Sequence, residues 1–518
     1  MATIAEGTPS THISWLQTQA ARGRRARDAC ERWLEAERDQ LPLWLAVALG
    51  GGIAAWFALP DPAQWTAAML ALAAVALAAV AAGRHGRAGR AVAIGAAVAA
   101  MGIGLAWWRA NSVAAPVLAR PAIVTMTARV DSVEPLPARE IVRVRLAPIS
   151  AETAASPFTS SQQRPGPRGG EGGRSAATSS LSQRVPGEDL PAQPITLPPR
   201  IRVNLAQADV PAGLGPGAVI KLQARLMPPN EATVPGAYDF RKVAWFDRLG
   251  ATGKGIAPVT VVTPGTASNG LRARLAGHIE AQLPGSAGGI AAALAAGDEG
   301  AISEADSDAM RRSGLAHLLS VSGLHITAAV AATIWAVTRL LALWPWLALR
   351  TRIPVIAAGA GALAAIGYTL LTGGQVPTAR SCIAALLVLA ALTMGREAIT
   401  LRLVAAGAFV VLLLWPEALV GPSFQLSFAA VAAIVALHEQ LTVRGWFLKR
   451  DEIWWRKVGR ELGSLLLTGL VVEAALAPIA LYHFHKSGLY GALANIVAIP
   501  LTTFVIMPAE ALALALDA

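Results

Sequence analysis

The chain has 518 residues, of which 54% are hydrophobic and 15% charged, and a net charge of +11. This is longer than one ordinary domain, and its apolar runs of 18 residues or more exclude a simple soluble protein, since about 20 apolar helical residues span a bilayer. Two distant cysteines, Cys30 and Cys382, exclude a disulfide framework and a cysteine-based metal site.

The first 40 residues follow a helical pattern with six arginines and six acidic residues, too charged for a cleavable signal. Trp15, Leu16, Trp33 and Leu34 suit either a helix lying on a membrane surface or a plain solvated helix. Three spans are predicted at 41–59, 65–82 and 91–108, within a segment 41–110. The connection 60–64 has no basic residue, whereas 83–90 carries Arg84, Arg87 and Arg90. The positive-inside rule then puts the N-terminus and 83–90 in the cytoplasm. Trp107 and Trp108 stand where an interfacial aromatic belt belongs, so the third span exits on the outer side.

Residues 111–275 change character. Ile141-Val-Arg-Val-Arg-Leu146, Arg200-Ile-Arg-Val-Asn-Leu205 and Ile220-Lys-Leu-Gln-Ala-Arg-Leu226 alternate apolar and polar residues, while 123–130 and 256–262 are rich in β-branched residues. Period two predicts strands with one buried face. Five short strands suggest a small barrel, for which an OB-like fold is one solution. Residues 152–195, rich in Ser, Pro, Gly and Gln, are predicted to be a disordered insertion. Between 120 and 274 there are 19 Lys and Arg against 11 Asp and Glu, a net +8 that an outer domain does not owe to the positive-inside rule. Arg143, Arg145, Arg200, Arg202, Lys221, Arg225, Arg241 and Lys242 are candidates for contact with a phosphate backbone. Tyr238 and Phe240, with Trp245 and Phe246, are candidates for base stacking. A place in the barrel core or against the membrane is the alternative for Trp245 and Phe246.

From 286 to 518 the chain is again helical and apolar. Spans are predicted at 315–343, 353–371, 378–394, 403–415, 424–437, 465–481 and 489–514, the last interrupted by Pro500 and Pro508. Basic connections recur at Arg350 and Arg352, at Arg396 and Arg402, and at Arg444, Lys449, Arg450, Arg456, Lys457 and Arg460. The opposite loops, 372–377 and 416–422, have none. This second count agrees with an outer β domain. The expectation is an α-helical polytopic membrane protein of about ten spans with an inserted OB-like barrel.

The densest polar stretch is His317-Leu-Leu-Ser-Val-Ser-Gly-Leu-His325, which opens the 315–343 run. Its histidines are eight apart, which is not a helical zinc spacing, so no metal or cofactor is expected. Ser322 could be an intramembrane nucleophile served by a histidine base. A Gly-x-Ser-x-Gly elbow is absent, because Ser320 occupies the first glycine position. Helix packing through small residues and interhelical hydrogen bonds is the other reading. Upstream, Ser303 and Asp306 fit a helix N-cap with an acidic first turn. Arg380, Gln425, Ser427, Glu473 and Asn495 are polar residues within later spans, where they mark a site or a pathway, or snorkel to the interface in the case of Arg380. No phosphate-binding Gly-x4-Gly-Lys-Ser/Thr loop and no dinucleotide fingerprint occurs.

These motifs resemble those of the ComEC competence-protein family, channels for DNA uptake. The resemblance rests on the His317–His325 stretch, on Ala295-Ala-Gly-Asp-Glu-Gly300 and Met310-Arg-Arg-Ser-Gly314, and on Pro377-Thr-Ala-Arg-Ser381. Gly421-Pro-Ser-Phe-Gln-Leu-Ser-Phe428, Ala477-Pro478, Ala494-Asn495 with Pro500, and Pro235-Gly-Ala-Tyr-Asp-Phe240 complete it. It implies an inner-membrane channel for single-stranded DNA, with His317, Ser320, Ser322, Gly323, His325, Arg380, Gln425, Ser427, Glu473 and Asn495 lining or gating the path. It also implies an outer domain that binds DNA, and as partners a DNA receptor, a cytoplasmic motor, a separate nuclease and further copies of the chain. The His-x-His-x-Asp-His motif of the family's nuclease domain does not occur in these residues. No hydrolytic activity is therefore expected of them. An intramembrane serine hydrolase and a transporter of a small anionic solute remain as alternatives.

Overall fold

The structure is a computed structural model, and it describes residues 25, 29, 31–38, 40–82, 86–153, 196–231, 239–265, 270–374, 376–395, 400–440, 443, 445–446, 453–485 and 491–517. Residues 152 and 153 of the predicted insertion are strand, and the rest of it lies outside the described residues, as do Tyr238, Arg84, Arg396, Arg444, Lys449 and Arg450. The chain divides into two compact units, Met1–Ser112 with Leu271–Ala518, and Val113–Gly270.

The first unit opens with α1 (Leu43–Ala58), α2 (Pro62–Ala82) and α3 (Arg87–Val113). Glycines let α1 and α3 touch backbone to backbone. A Cβ on Gly52 would lie 1.9 Å from the Ala99 carbonyl oxygen, and one on Gly102 would lie 2.4 Å from that of Leu49. Trp65 sits between Trp56 and Trp107, with ring centroids 5.2 and 5.5 Å away, and its indole N–H donates to the Leu59 carbonyl at 2.9 Å. These aromatics gather where α1 turns into α2 and α3 ends, as an interfacial belt requires.

The second unit is a closed five-stranded barrel in the order β1-β2-β3-β5-β4. Its strands are β1 (Ala122–Leu136), β2 (Ile141–Thr153), β3 (Ile201–Ala206), β4 (Val219–Met227) and β5 (Ala251–Thr263), with a short helix α4 (Phe240–Phe246) before β5. All pairs are antiparallel except β3 with β5. The alternation seen in the sequence is the pleat. Val142, Val144 and Leu146, Ile201, Val203 and Leu205, and Ile220, Leu222, Ala224 and Leu226 all point inward and are buried in one core. Gly255 admits the Leu205 side chain, whose Cδ2 lies 2.3 Å from where a Cβ would stand.

The first unit resumes with α5 (Leu271–Gln282), α6 (Ser286–Ala296), α7 (Glu304–Arg312), α8 (Ala316–Leu319), α9 (Gly323–Ala342) and α10 (Pro345–Arg350). It continues with α11 (Ile353–Leu371), α12 (Val376–Thr393), α13 (Leu401–Leu414), α14 (Pro422–Glu439), α15 (Trp454–Phe484), α16 (Gly491–Leu501) and α17 (Met507–Asp517). Among the described residues seven helical stretches are long and apolar enough to cross a membrane: α2, α3, α9, α11, α14, α15 and the run Gly491–Asp517. Shorter apolar helices include α1 and α13. The protein is a membrane protein. Leu49 and Ile53 of α1 and Ala106 of α3 share a core with Val411 and Leu412 of α13 and Phe424 of α14. Arg109 also pairs with Glu417 at 3.0 Å.

One expectation changes and one open alternative is resolved. The 315–343 run is not one helix. Ser320–Ser322 leave helical geometry, and a new helix starts at Gly323. In the last run, where Pro500 and Pro508 allow one broken span or two half-spans, the structure has a single broken run, Gly491–Asp517. A π turn, Thr502–Ile506, joins α16 to α17. A helix tolerates the amides that proline lacks by widening its turn locally.

Candidate functional site

The signature stretch folds as a hinge of local hydrogen bonds. Gly314, at φ +76°, ends the turn after α7. His317 Nδ1 lies 3.1 Å from the Gly314 carbonyl, and the Ser320 hydroxyl faces the His317 carbonyl at 3.4 Å. Ser322 caps α9. Its Oγ accepts from the Leu324 amide at 3.3 Å, and its own amide donates to His325 Nδ1 at 3.2 Å. This is a capping box with histidine in the place usually held by Glu or Gln. Ser322 Oγ also lies 3.2 Å from His325 Nδ1. That nitrogen already accepts the Ser322 amide, so it is a poor base. His325 Nε2 is buried with no partner among the described residues, whereas a hydrolase would orient its histidine through the second nitrogen.

Other motifs converge on this hinge. A Cβ on Gly297, at φ +70°, would lie 3.1 Å from Val321 and 3.6 Å from Thr372. Arg272 donates to the Ala296 and Gly297 carbonyls at 3.0 and 2.7 Å and so closes the C-terminus of α6. A Cβ on Gly323 would meet the Ser381 hydroxyl at 3.6 Å. Beside Ser381, Arg380 is 7% exposed, with Nε and Nη1 lacking partners among the described residues. It does not snorkel. On the other side Gly314 touches Gly491, which abuts Glu473. Glu473 accepts the Ala492 amide at 3.0 Å and so holds the start of α16. In that helix the Asn495 Oδ1 is buried without a partner among the described residues.

His325 makes no hydrogen bond to Gln425, Ser427 or Glu473 among the described residues. Gln425 joins α14 to α15, since its Oε1 lies 2.9 Å from His483 Nε2, and it also donates to the Leu419 carbonyl at 2.9 Å. Ser427 is exposed on α14. Before the hinge, the Ser303 hydroxyl accepts the Asp306 amide at 3.1 Å, as its capping pattern predicts. Hydrogen bonds from Ser286 and Ser303 hold the Asp306 carboxyl below its usual range. Among the described residues no three His, Cys, Asp or Glu side chains gather where a metal could sit.

On the barrel, register assembles the cations. Arg143 pairs across to Asn204, Asn204 to Lys254, and Lys254 to Arg225. One level along, Arg145 pairs with Arg202 and Arg202 with Thr252. Burial, and then the Arg143 and Arg145 cations, push the Arg202 guanidinium below its ordinary value. Arg202 also lies over Phe240, 4.5 Å from the ring centroid, so one face of that ring is already covered. Arg143 is partly matched by Glu134 at 3.2 Å, Arg200 lies 3.9 Å from Asp131, Arg241 pairs with Glu231 and Lys242 with Asp239. Lys221 and Arg225 are exposed on β4. Lys254 was missed in the sequence because glycines flank it and hide the alternation of β5.

Residues 294–518, which hold the hinge and the helices packed around it, match the family description "Competence protein". Over these residues the chain is similar to competence-family proteins. It is 26% identical over 299 residues to ComE operon protein 3 of Bacillus subtilis, covering 57% of this chain and 35% of that one. It is 35% identical over 221 residues to competence protein ComA of Neisseria gonorrhoeae, covering 42% of this chain and 29% of that one. Recombination protein 2 of Haemophilus influenzae is 26% identical over 270 residues, 52% of this chain and 33% of the relative. The matched part thus spans about a third of the length of these curated relatives. They support the ComEC competence family. No solved structure matches the chain significantly.

Proposed function

We propose that this protein passes single-stranded DNA across the bacterial inner membrane, and that its barrel, read as OB-like, receives the strand on the outer side. The barrel reading draws on its 1-2-3-5-4 order with one parallel pair. The observation that carries DNA binding is the row of Arg143, Lys254 and Arg225 in register, with Arg145 and Arg202 beside it. Like charges held this close are relieved by a polyanion, and bound phosphates release counterions. The hinge at Ser320–Ser322 supports a path through the helical unit, because non-helical backbone at membrane depth persists where it is buried in protein or lines an aqueous cavity. About ten spans, with α1, α12 and α13 counted among them, and an N-terminus in the cytoplasm complete this topology. A DNA receptor, a cytoplasmic motor, a separate nuclease and self-association are the partners that the family resemblance implies.

Three measurements test the reading. Uptake of labelled DNA should vanish in a strain lacking the protein and return with the wild-type chain. Residues 113–270, which have their own core, should bind single-stranded oligonucleotides of any sequence, with a log–log salt slope of about −0.7 for each phosphate neutralised. Binding that is absent at low salt, or that does not change with salt, refutes the barrel's role. A cysteine placed at Gly170 should react with an impermeant maleimide in intact spheroplasts. Labelling only after permeabilisation overturns the orientation.

A further inference from the structure

A groove of about 900 Å³ lies where α1 and α3 begin, closed on one side by the helical residues 31–36. Its walls are apolar, from Leu41 and Leu45 on one side to Val92 and Gly95 on the other. Its mouth carries Arg38, Arg87 and Arg90, with Trp33 and Trp44, and no acidic residue is among those that line it. Two of the nearby carboxylates are engaged at the start of α3. Glu31 accepts the Arg87 and Ala88 amides at 2.9 and 3.1 Å and so caps α3, and Glu35 pairs with Arg87. Arg38 and Arg90 are exposed and form no ion pair among the described residues. Trp33 and Trp44 are 55% and 59% exposed.

We infer that this groove is a binding site for an anionic diacyl phospholipid. An apolar slot for acyl chains, arginines at its mouth and indoles at the same level match the three zones of such a lipid. Because α1 and α3 begin on the same side, the mouth stands at the end of two spans, where headgroups lie. The two arginines without an ion pair among the described residues, Arg38 and Arg90, choose an anionic headgroup over a zwitterionic one. The apolar walls choose a lipid over a free phosphate.

The test uses the full chain, purified in a neutral maltoside detergent and exposed to equal amounts of palmitoyl-oleoyl phosphatidylglycerol and phosphatidylcholine. Native mass spectrometry reads the lipid retained. The wild type should retain the phosphatidylglycerol in roughly 30-fold preference, about 5-fold from each of Arg38 and Arg90. Arg38→Gln with Arg90→Gln should bring the ratio close to unity, and the same pair changed to Lys should keep most of it. Gly95→Phe fills the slot without touching a charge. A Cβ there meets nothing within 4 Å, so the helix tolerates it, and lipid retention should fall to background. Equal retention of both lipids by the wild type overturns the inference. So does a preference that survives the double glutamine variant. Competitive binding of inorganic phosphate that Gly95→Phe leaves unchanged would reduce the groove to a simple anion site and overturn it as well.

Discussion

The Ser322 hydroxyl and the His325 ring meet across one turn, Oγ to Nδ1 at 3.2 Å, at the first residues of α9. A serine beside a histidine invites a catalytic reading. Here both side chains serve the helix terminus: Oγ accepts the Leu324 amide and Nδ1 accepts the Ser322 amide. The pair starts a helix inside a run that would otherwise continue through it.

Ser322→Ala should therefore cost about 1 kcal/mol of stability, the usual loss for an N-cap, and leave most uptake intact. Thermal unfolding in detergent and labelled-DNA uptake measure the two. A fluorophosphonate probe should leave Ser322 unlabelled. Loss of all activity together with labelling would establish a nucleophile.

Arg380 gives an effect of opposite sign on two readouts. Its guanidinium is buried with Nε and Nη1 unpartnered among the described residues, so Arg380→Met should raise the unfolding midpoint, since an uncompensated buried charge destabilises a fold. The same change should lower uptake by at least about 10-fold if that charge meets phosphates, at roughly 1.4 kcal/mol per factor of ten. A variant that is less stable and fully active contradicts both parts.

On the barrel, Arg143→Gln, Arg145→Gln, Arg202→Gln and Lys254→Gln should each flatten the salt dependence of DNA binding by about 0.7 in slope. Affinity should drop alike for all sequences, because phosphate contacts carry no sequence information. A sequence-dependent loss would point to base contacts instead.

Gly52→Ala should destabilise the first unit by about 1–3 kcal/mol, because its Cβ would stand 1.9 Å from the Ala99 carbonyl oxygen. Gly51→Ala is the control: nothing lies within 4 Å of its Cβ, and stability should hold or rise slightly. Unfolding midpoints of the two variants decide the matter.

Asp306 sets a pH effect near the hinge. Its carboxyl is held below the ordinary range by the Ser286 and Ser303 hydroxyls, so its contribution is present above the unfolded value of about 3.9 and is lost as pH falls through the lower folded value. Asp306→Asn should remove that acid-side dependence. Unfolding midpoints followed from pH 5 to 3 check it.

The strands were legible because Val and Ile alternate with Arg at period two, and the pleat requires that pattern. The site was legible only in part. Ser303 with Asp306 reads as a cap from spacing alone. The break at Ser320–Ser322 does not, because Leu318, Leu319, Val321 and Leu324 keep the run apolar and the capping box there has histidine where Glu or Gln usually marks it. The pairing of Gln425 with His483 joins residues 58 apart in the chain, a separation at which a single sequence carries no periodic signal. Lys254 became part of the cationic row only through the parallel pairing of β3 with β5.

Ring closure of the barrel has a consequence for what can attach to it. With β1 bonded to both β2 and β4, and β3 to β5, free edge is confined to strand ends, such as those of β2 and β5 beyond Leu146 and Lys254, which lack a second neighbour among the described residues and leave a passing peptide little to join. Along the closed part of the ring a polymer is met by side chains alone. Such contacts can be exchanged one at a time, and they favour travel along the surface over permanent lodging.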